Sequence, residues 1–289
     1  MDDEERRSFW TGYQPGTRGA PAAAGSPEFF AEVAARRYAL EPDIPEMVGF
    51  ERWAGKDVLE AGCGMGTDAA EFVRVGARYH GVDFSPRALE LARRRPDLAG
   101  ADLVAGSITD LPYPDASFDL VYSNGVIHHM PETLRAISEF HRVLRPGGAA
   151  IVMVYHRASL NFFFSIMVVR RVLAGALLVP GADRVIASLT GEPLDVLRGH
   201  RTLLAEHGRH YLEPSLFLSH NTDGPGNPLS KVYTAAGMRQ AFADFAETRT
   251  RVRFLNLRAY PMGERLELFE GIRRLGRRWG WHLWITATK

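Results

Sequence analysis

The sequence predicts an α/β fold, a doubly wound sheet of mostly parallel strands flanked by helices, and three observations carry that reading. Short apolar runs recur at 58–61, 79–83, 102–108, 117–124 and 149–155. Amphipathic stretches of helical period separate them. Between the first run and the first such stretch stand three glycines at alternating positions, Gly62, Gly64 and Gly66, in the segment Val58-Leu-Glu-Ala-Gly-Cys63-Gly-Met-Gly-Thr67-Asp68.

A strand that passes at once into a glycine turn and a helix N-terminus reads as a cofactor site. The turn wants positive φ, and a ligand lying against backbone leaves no room for Cβ atoms. A dinucleotide fingerprint would need Gly-x-Gly-x-x-Gly, but the sixth position from Gly62 is Thr67, and Glu60 would set a negative charge against a pyrophosphate. A cationic ligand suits that acid. In this acid-x-Gly-x-Gly-x-Gly form the segment resembles the first motif of the class I S-adenosylmethionine (SAM) dependent methyltransferases.

The elements follow in order. Residues 1–27 are rich in Gly, Pro and Ala and read as an arm with little regular structure. Phe9, Trp10 and Tyr13 within it pack either on the outside of the domain or over the cofactor as a lid, with Tyr13 closing on the sulfonium end. Apolar residues at helical spacing predict a helix over 27–40, and a second fits around 44–53. After the glycine turn, 68–74 is the first crossover helix. Tyr79–Asp83 is the second strand, and its terminal acid is placed to accept both ribose hydroxyls. Ser85-Pro86 opens the next helix, with proline at its first position.

Residues 102–108 form the third strand. In the resembled family the segment after it cups the adenine, usually with an aspartate where this chain has Ser107. Ile108 can pack on the ring, and Asp110 can stand in for the missing acid. The fourth strand, 117–124, ends in Asn124. It leads into Gly125-Val-Ile-His128-His129-Met130 at the carboxyl edge, where open α/β sheets bind ligands. Adjacent histidines cannot face the same way, which argues against a shared metal, and none is expected. His129 reads either as a group touching the acceptor, as positioner or base with His128, or as a hydrogen-bonded histidine beneath the site. The quinone-biosynthesis members of the family carry an apolar-His-His pattern here. An amphipathic helix over 131–144 stops at Pro146-Gly147-Gly148, and 149–155 is a buried fifth strand.

The resemblance implies a Rossmann-like, seven-stranded sheet whose last strand is antiparallel, with SAM bound and S-adenosylhomocysteine released. It implies a cofactor set of Tyr13, Glu60, Gly62, Cys63, Gly64, Gly66, Thr67, Asp68, Asp83, Phe84, Ser107, Ile108 and Asn124. The final helix and two strands come only at 233–245, 248–257 and 281–288, so about 75 residues are inserted after the fifth strand. The organisation is therefore an N-terminal arm with lid helices (1–53), a SAM-binding core (54–156), a mainly helical substrate cap (157–232) and a C-terminal completion of the core (233–289).

The cap has two characters. Residues 160–180 form a helix apolar nearly all round, read as core packing, as a wall for a greasy substrate, or as a face on which two copies meet as a homodimer. Arg170 and Arg171 interrupt it and argue against a bilayer span. The stretch 198–211 carries Arg198, His200, Arg201, His207, Arg209 and His210, a solvated basic face or a grip for a carboxylate acceptor. A stiff polar loop then holds Asn221, Asp223, Asn227, Lys231 and Tyr233, candidates for acceptor contact.

Composition bounds the rest. The 289 residues carry a net charge of +1, which gives no sign of a nucleic-acid partner. Cys63 is the single cysteine. No internal disulfide can form, and the acidic N-terminus shows no apolar leader, so the expected location is the cytoplasm. Methyl transfer to a hydroxyl, amine or carbon needs a base, whereas a carboxylate needs only cations to orient it. More arginine than obvious base points to O-methylation of a small organic acid, such as a branched dicarboxylic or hydroxy acid of the isopropylmalate type, in bacterial specialised metabolism. Methylation of an apolar natural product or quinone with a histidine base is the alternative, and a SAM-binding partner protein without activity is another class.

Overall fold

The structure, a computed structural model, describes residues 3–13, 17, 21–255 and 270–289. Seven strands form one sheet: β1 (Asp57–Ala61), β2 (Arg78–Asp83), β3 (Asp102–Ala105), β4 (Phe118–Asn124), β5 (Leu144–Tyr155), β6 (Glu247–Arg253) and β7 (His282–Thr288), in the order β3-β2-β1-β4-β5-β7-β6. β1 pairs in parallel with β2 and β4, and β7 runs antiparallel to both its neighbours. The order reverses beside β1, which places the carboxyl ends of β1, β2 and β4 around one crevice.

Alternation along the strands builds two cores. Leu59, Val121, Val152 and Ile285 face α6 (Thr133–Val143) and α11 (Ala235–Ala241), represented by Ala136, Phe140 and Met238. Val58, Leu120, Ile151 and Trp284 face the other way, onto Met47 of α3 (Ile44–Val48), Phe72 of α4 (Thr67–Arg74) and Leu89 of α5 (Pro86–Arg93). Period-two burial of this kind sets the register of each strand.

Three expectations change. The N-terminal arm is helical, as α1 (Asp3–Gly12). Acids at its start favour the positive end of the helix dipole, and the Gly- and Pro-rich text begins only after it. α2 (Pro27–Leu40) follows, capped by the Ser26 hydroxyl, which accepts the Phe29 N–H. The third strand ends early, at Ala105 before Gly106. The apolar stretch is not one α-helix: a wide, π-type helix (Asn161–Arg170) continues into α7 (Arg171–Ala176). Of the sixth strand as expected, Leu257 lies outside the described residues.

After β5 the chain forms the cap, whose α8 (Ala182–Thr190), α9 (Leu194–His207) and α10 (Pro214–His220) pack on a third core of Ile166, Leu177, Ile186, Leu197, Tyr211 and Phe217. Tyr155 and Trp281 join that cluster, stacked with ring centroids 4.3 Å apart, and so tie the cap to the ends of β5 and β7. Among the described residues no helix is long and apolar enough to cross a membrane.

Candidate active site

The glycine turn is built from backbone. Gly62, Gly64 and Gly66 have φ of +86°, +54° and +78°, the left-handed region that side chains resist. A Cβ on Gly62 would meet Val126 Cγ2 at 2.4 Å, whereas one on Gly64 would meet nothing within 4 Å. Gly64 therefore opens onto the cavity, and Gly62 lets the β4 edge close against the turn. Gly66 caps α4 and Thr67 begins it.

Asp83, at the end of β2, completes this wall. Its Oδ2 accepts the Gly64 N–H at 2.8 Å and its Oδ1 accepts the Ser85 N–H at 2.8 Å. A carboxylate has about four acceptor sites, so two remain for ligand hydroxyls. Burial raises its pKa, opposed by the N–H groups of Ser85, Gly64 and Phe84.

One cavity runs along the carboxyl edge. It is lined by Gly62, Gly64, Asp83, Phe84, Ser107, Ile108, Asn124 and His129, all expected from the sequence, and by Tyr13 from the N-terminal arm. Trp10, one of the aromatics the lid reading named, lines it, as do Arg6, Arg7, Ser85, Val126 and Met130, which sequence reasoning did not assign to the site. Trp10 was visible as an aromatic in the arm; nothing in the text marked Arg6 or Arg7. α1 is docked by its own backbone, the Trp10 carbonyl accepting the Ser85 hydroxyl at 3.2 Å. The residues fit SAM: bare backbone at Gly64, an acceptor-rich carboxylate at Asp83 and an apolar wall at Ile108. Asp110 is exposed and does not line the cavity.

Five residues of the expected cofactor set do not line the cavity: Gly66, at the start of α4, and Glu60, Cys63, Thr67 and Asp68 behind the wall. Glu60 is buried under the turn and accepts the Tyr79 hydroxyl at 2.7 Å; burial, reinforced by Asp68, holds its pKa well above the usual carboxylate value. Cys63 is buried, which drives its thiol pKa well up. Thr67 starts α4 without lining the cavity. Asp68 is buried and held by Arg37 Nε and Nη2 at 2.8 and 2.7 Å, by Tyr38 at 3.1 Å and by Tyr122 at 2.8 Å. Burial alone would raise its pKa, but Arg37 and these hydrogen bonds leave it lowered. In this arrangement Asp68 fastens α2 to α4 and β4. Asn124 donates to the same Tyr122 hydroxyl at 2.8 Å, which orients it on the cavity wall.

The histidines are constrained differently. His129 Nδ1 lies 2.8 Å from the Leu229 carbonyl oxygen and must donate to it, while Nε2 faces Asp223 Oδ2 at 3.3 Å. Tyr155 donates to both Asp223 oxygens at 3.2 and 3.1 Å. The ring itself is offered to the cavity beside Trp10, with centroids 4.8 Å apart. Burial lowers the pKa of His129, with Asp223 opposing. His128 is fully buried between His129 and Tyr155, off the cavity, and burial drives its pKa well down.

Residues 59–152 match a family model described as a methyltransferase domain. Over these residues the core is similar in sequence to that methyltransferase domain. A protein of Mycolicibacterium smegmatis named as a probable S-adenosylmethionine-dependent methyltransferase is 39% identical over 110 residues, 38% of this chain and 42% of that one. The fatty-acid O-methyltransferase of the same organism is 42% identical over 96 residues, 32% of this chain and 35% of that one. The chain thus spans less than half the length of these curated relatives. Among solved structures, an S-adenosylmethionine-dependent methyltransferase from Mesorhizobium loti aligns over 86% of this chain and 97% of that one, at 18% identity and a TM-score of 0.53, a likeness of fold.

The cap brings other expected residues to different places. Asp223 reaches His129, as described. Asn221 is buried, its amide donating to Phe217 O and Tyr211 OH, and Asn227 is fully buried, donating to Ser230 Oγ. Lys231 Nζ donates to the Pro131 carbonyl at 2.8 Å, and its pKa is lowered by burial and then by nearby Arg6. Tyr233 pairs with Thr133 at 2.8 Å. Arg198 and Arg201 line a separate surface groove, Arg198 with its Nε 3.4 Å from Asp183. Arg209 and His210 are exposed, and His210 meets Glu213 at 2.9 Å. The expected arginine grip is therefore not assembled at the cavity: α9 turns Arg198 and Arg201 outward while its Val196, Leu197, His200 and Leu204 face the cap core, and Arg209 stands exposed on the turn Gly208–Leu212. Among the described residues no group of three or more His, Cys, Asp or Glu could hold a metal ion.

Proposed function

We propose that the chain is a SAM-dependent methyltransferase that O-methylates the carboxylate of a small organic acid bearing an apolar chain. One observation carries the choice of acceptor: among the described residues His129 is the one imidazole on the cavity wall, and its ring nitrogens lie against protein oxygens, Nδ1 2.8 Å from the Leu229 carbonyl and Nε2 3.3 Å from Asp223. A hydroxyl or carbon acceptor needs a base with a lone pair aimed at it. Among the described residues Asp83 is the one carboxylate on the wall, and it is held by the Gly64 and Ser85 N–H groups with its remaining acceptor positions toward the cofactor's hydroxyls. The same cavity carries two guanidinium groups, Arg6 and Arg7.

SAM, when bound, supplies a methyl group already activated on a sulfonium. The protein's share is orientation and exclusion of water. Arg6 and Arg7 hold the acceptor carboxylate, ionised at neutral pH without help. Trp10, Val126 and Met130 supply apolar wall for the neighbouring chain, and α1 closes the cavity as a lid. A dicarboxylic acid would need a second cationic grip, and Arg198, Arg201 and Arg209 stand elsewhere. The likeness to a fatty-acid O-methyltransferase over residues of the core supports an acid with an aliphatic tail.

The test is to incubate the protein with methyl-labelled SAM and a series of fatty and short organic acids, and to identify labelled products. Methyl esters are expected, with Arg6→Gln raising the acceptor KM about tenfold or more and leaving SAM Kd within about twofold, the scale of a lost charge-assisted contact. Label recovered on a hydroxyl or carbon would overturn the proposal.

A further inference from the structure

The cap exposes apolar side chains in a way the core does not. Of thirteen exposed large apolar residues among the described ones, nine lie between 160 and 189. Leu160, Phe164, Val168 and Val172 follow one another at four-residue spacing and so share a helix face. Phe163 (57% exposed) widens that face. Leu178, Val179, Val185 and Leu189 are each 59% exposed or more. The opposite side is a proper interior face, with Ser165, Ile166 and Ala174 buried.

Charge decides what such a surface meets. Between Arg157 and Thr190 the sequence contains a single acid, Asp183, and that acid is buried against Arg198. Arg157 and Arg184 are exposed. Arg170 and Arg171 point inward, donating to the carbonyls of Asn221 and Leu212. Every exposed charge of this stretch is therefore positive. A two-fold interface between copies would set each patch against itself, arginine near arginine. An anionic lipid surface presents the opposite sign beside an apolar layer.

We propose that residues 160–189 form a membrane-docking face that rests in the headgroup boundary of anionic bilayers. It lies in the interface plane without spanning. Phe163, Val168 and Val172 enter the apolar layer, and Arg157 and Arg184 pair with lipid phosphates. The inference does not depend on which acceptor is methylated.

The test is flotation of the full chain with vesicles of phosphatidylglycerol and phosphatidylcholine in equal parts, against vesicles of phosphatidylcholine alone. Binding to the mixed vesicles is expected, weaker on the neutral ones, with each arginine contributing about fivefold. Phe163→Ser/Val168→Ser/Val172→Ser should lower binding at least tenfold while SAM affinity, measured by calorimetry, stays that of the wild type. Arg157→Gln/Arg184→Gln, on charges at the rim, supplies a second variant should the first fail to fold. Absence of binding to either vesicle, binding unchanged in both variants, or a wild-type dimer that the serine variant dissociates would each overturn the proposal.

Discussion

The glycine turn lines the cavity with its own backbone, whereas the cap bears on it indirectly, by holding His129 on the cavity wall. At Gly62 and Gly64 the contact surface is backbone in the left-handed region, fixed by a clash with Val126 on one side and the Asp83 carboxylate on the other. The cap acts through groups that arrive from far along the chain: the Asp223 carboxylate and the Leu229 carbonyl hold His129, and α9 buries His200 while its arginines face out. A site made of backbone tolerates almost no substitution.

The largest expected effect comes from breaking the backbone side of that contrast. Gly62→Ala places a Cβ against Val126 at positive φ, which should cost about 2–5 kcal/mol of stability from strain and overpacking. SAM binding should fall below detection in calorimetry. A variant that binds SAM normally would show that the turn is looser than its glycines imply.

The cap's interior responds to acid. Burial pushes His200 and His220 down to about 4. An unfolded chain takes up these protons near pH 6.5. Stability is therefore full above about pH 6.5, falls as pH drops because the folded cap refuses the protons, and levels off below about 4. The two histidines together account for on the order of 4–6 kcal/mol over that window. His200→Gln/His220→Gln should lessen the loss of urea-unfolding stability between pH 6.5 and 4, the buried His128, His129 and His282 keeping part of it, and a variant as acid-sensitive as the wild type would remove these residues from the account.

Asp83→Ala should weaken SAM binding by about 1.5–3 kcal/mol, the scale of hydrogen bonds to a charged group. Equal affinity in a folded variant would reassign the ribose contact. The smallest effects belong to the cap's outer arginines. Arg198→Ala, Arg201→Ala and Arg209→Ala should leave kcat and KM within about twofold, as exposed ion pairs contribute little. A tenfold change in KM would return them to the acceptor site.

The same contrast explains what the sequence disclosed. The order of strands and helices, the glycine turn and Asp83 were legible because local spacing dictates them: positive φ needs glycine, and an acid ending a parallel strand lies at the sheet edge. Asp68 was misread as a ligand-facing group because its partners Arg37, Tyr38 and Tyr122 come from two other elements. Arg6 and Arg7 carried no signal at all, since their place depends on α1 docking to Ser85, 75 residues away from its Trp10 partner. The arginines of α9 showed the right chemistry in the text, but helix rotation, set by which residues the cap core buries, pointed them outward.

The central claim is that no protein base takes part in methyl transfer. It is tested most directly by the pH dependence of kcat, under saturating SAM and a fatty acid acceptor, for the wild type and His129→Gln. The account predicts a kcat flat from about pH 6 to 9, where carboxylic acids of ordinary pKa are ionised, and a loss below about tenfold in the variant. A rate that falls with a histidine pKa in the wild type, and a loss of about 10²–10⁴-fold in a folded, SAM-binding His129→Gln, would contradict it.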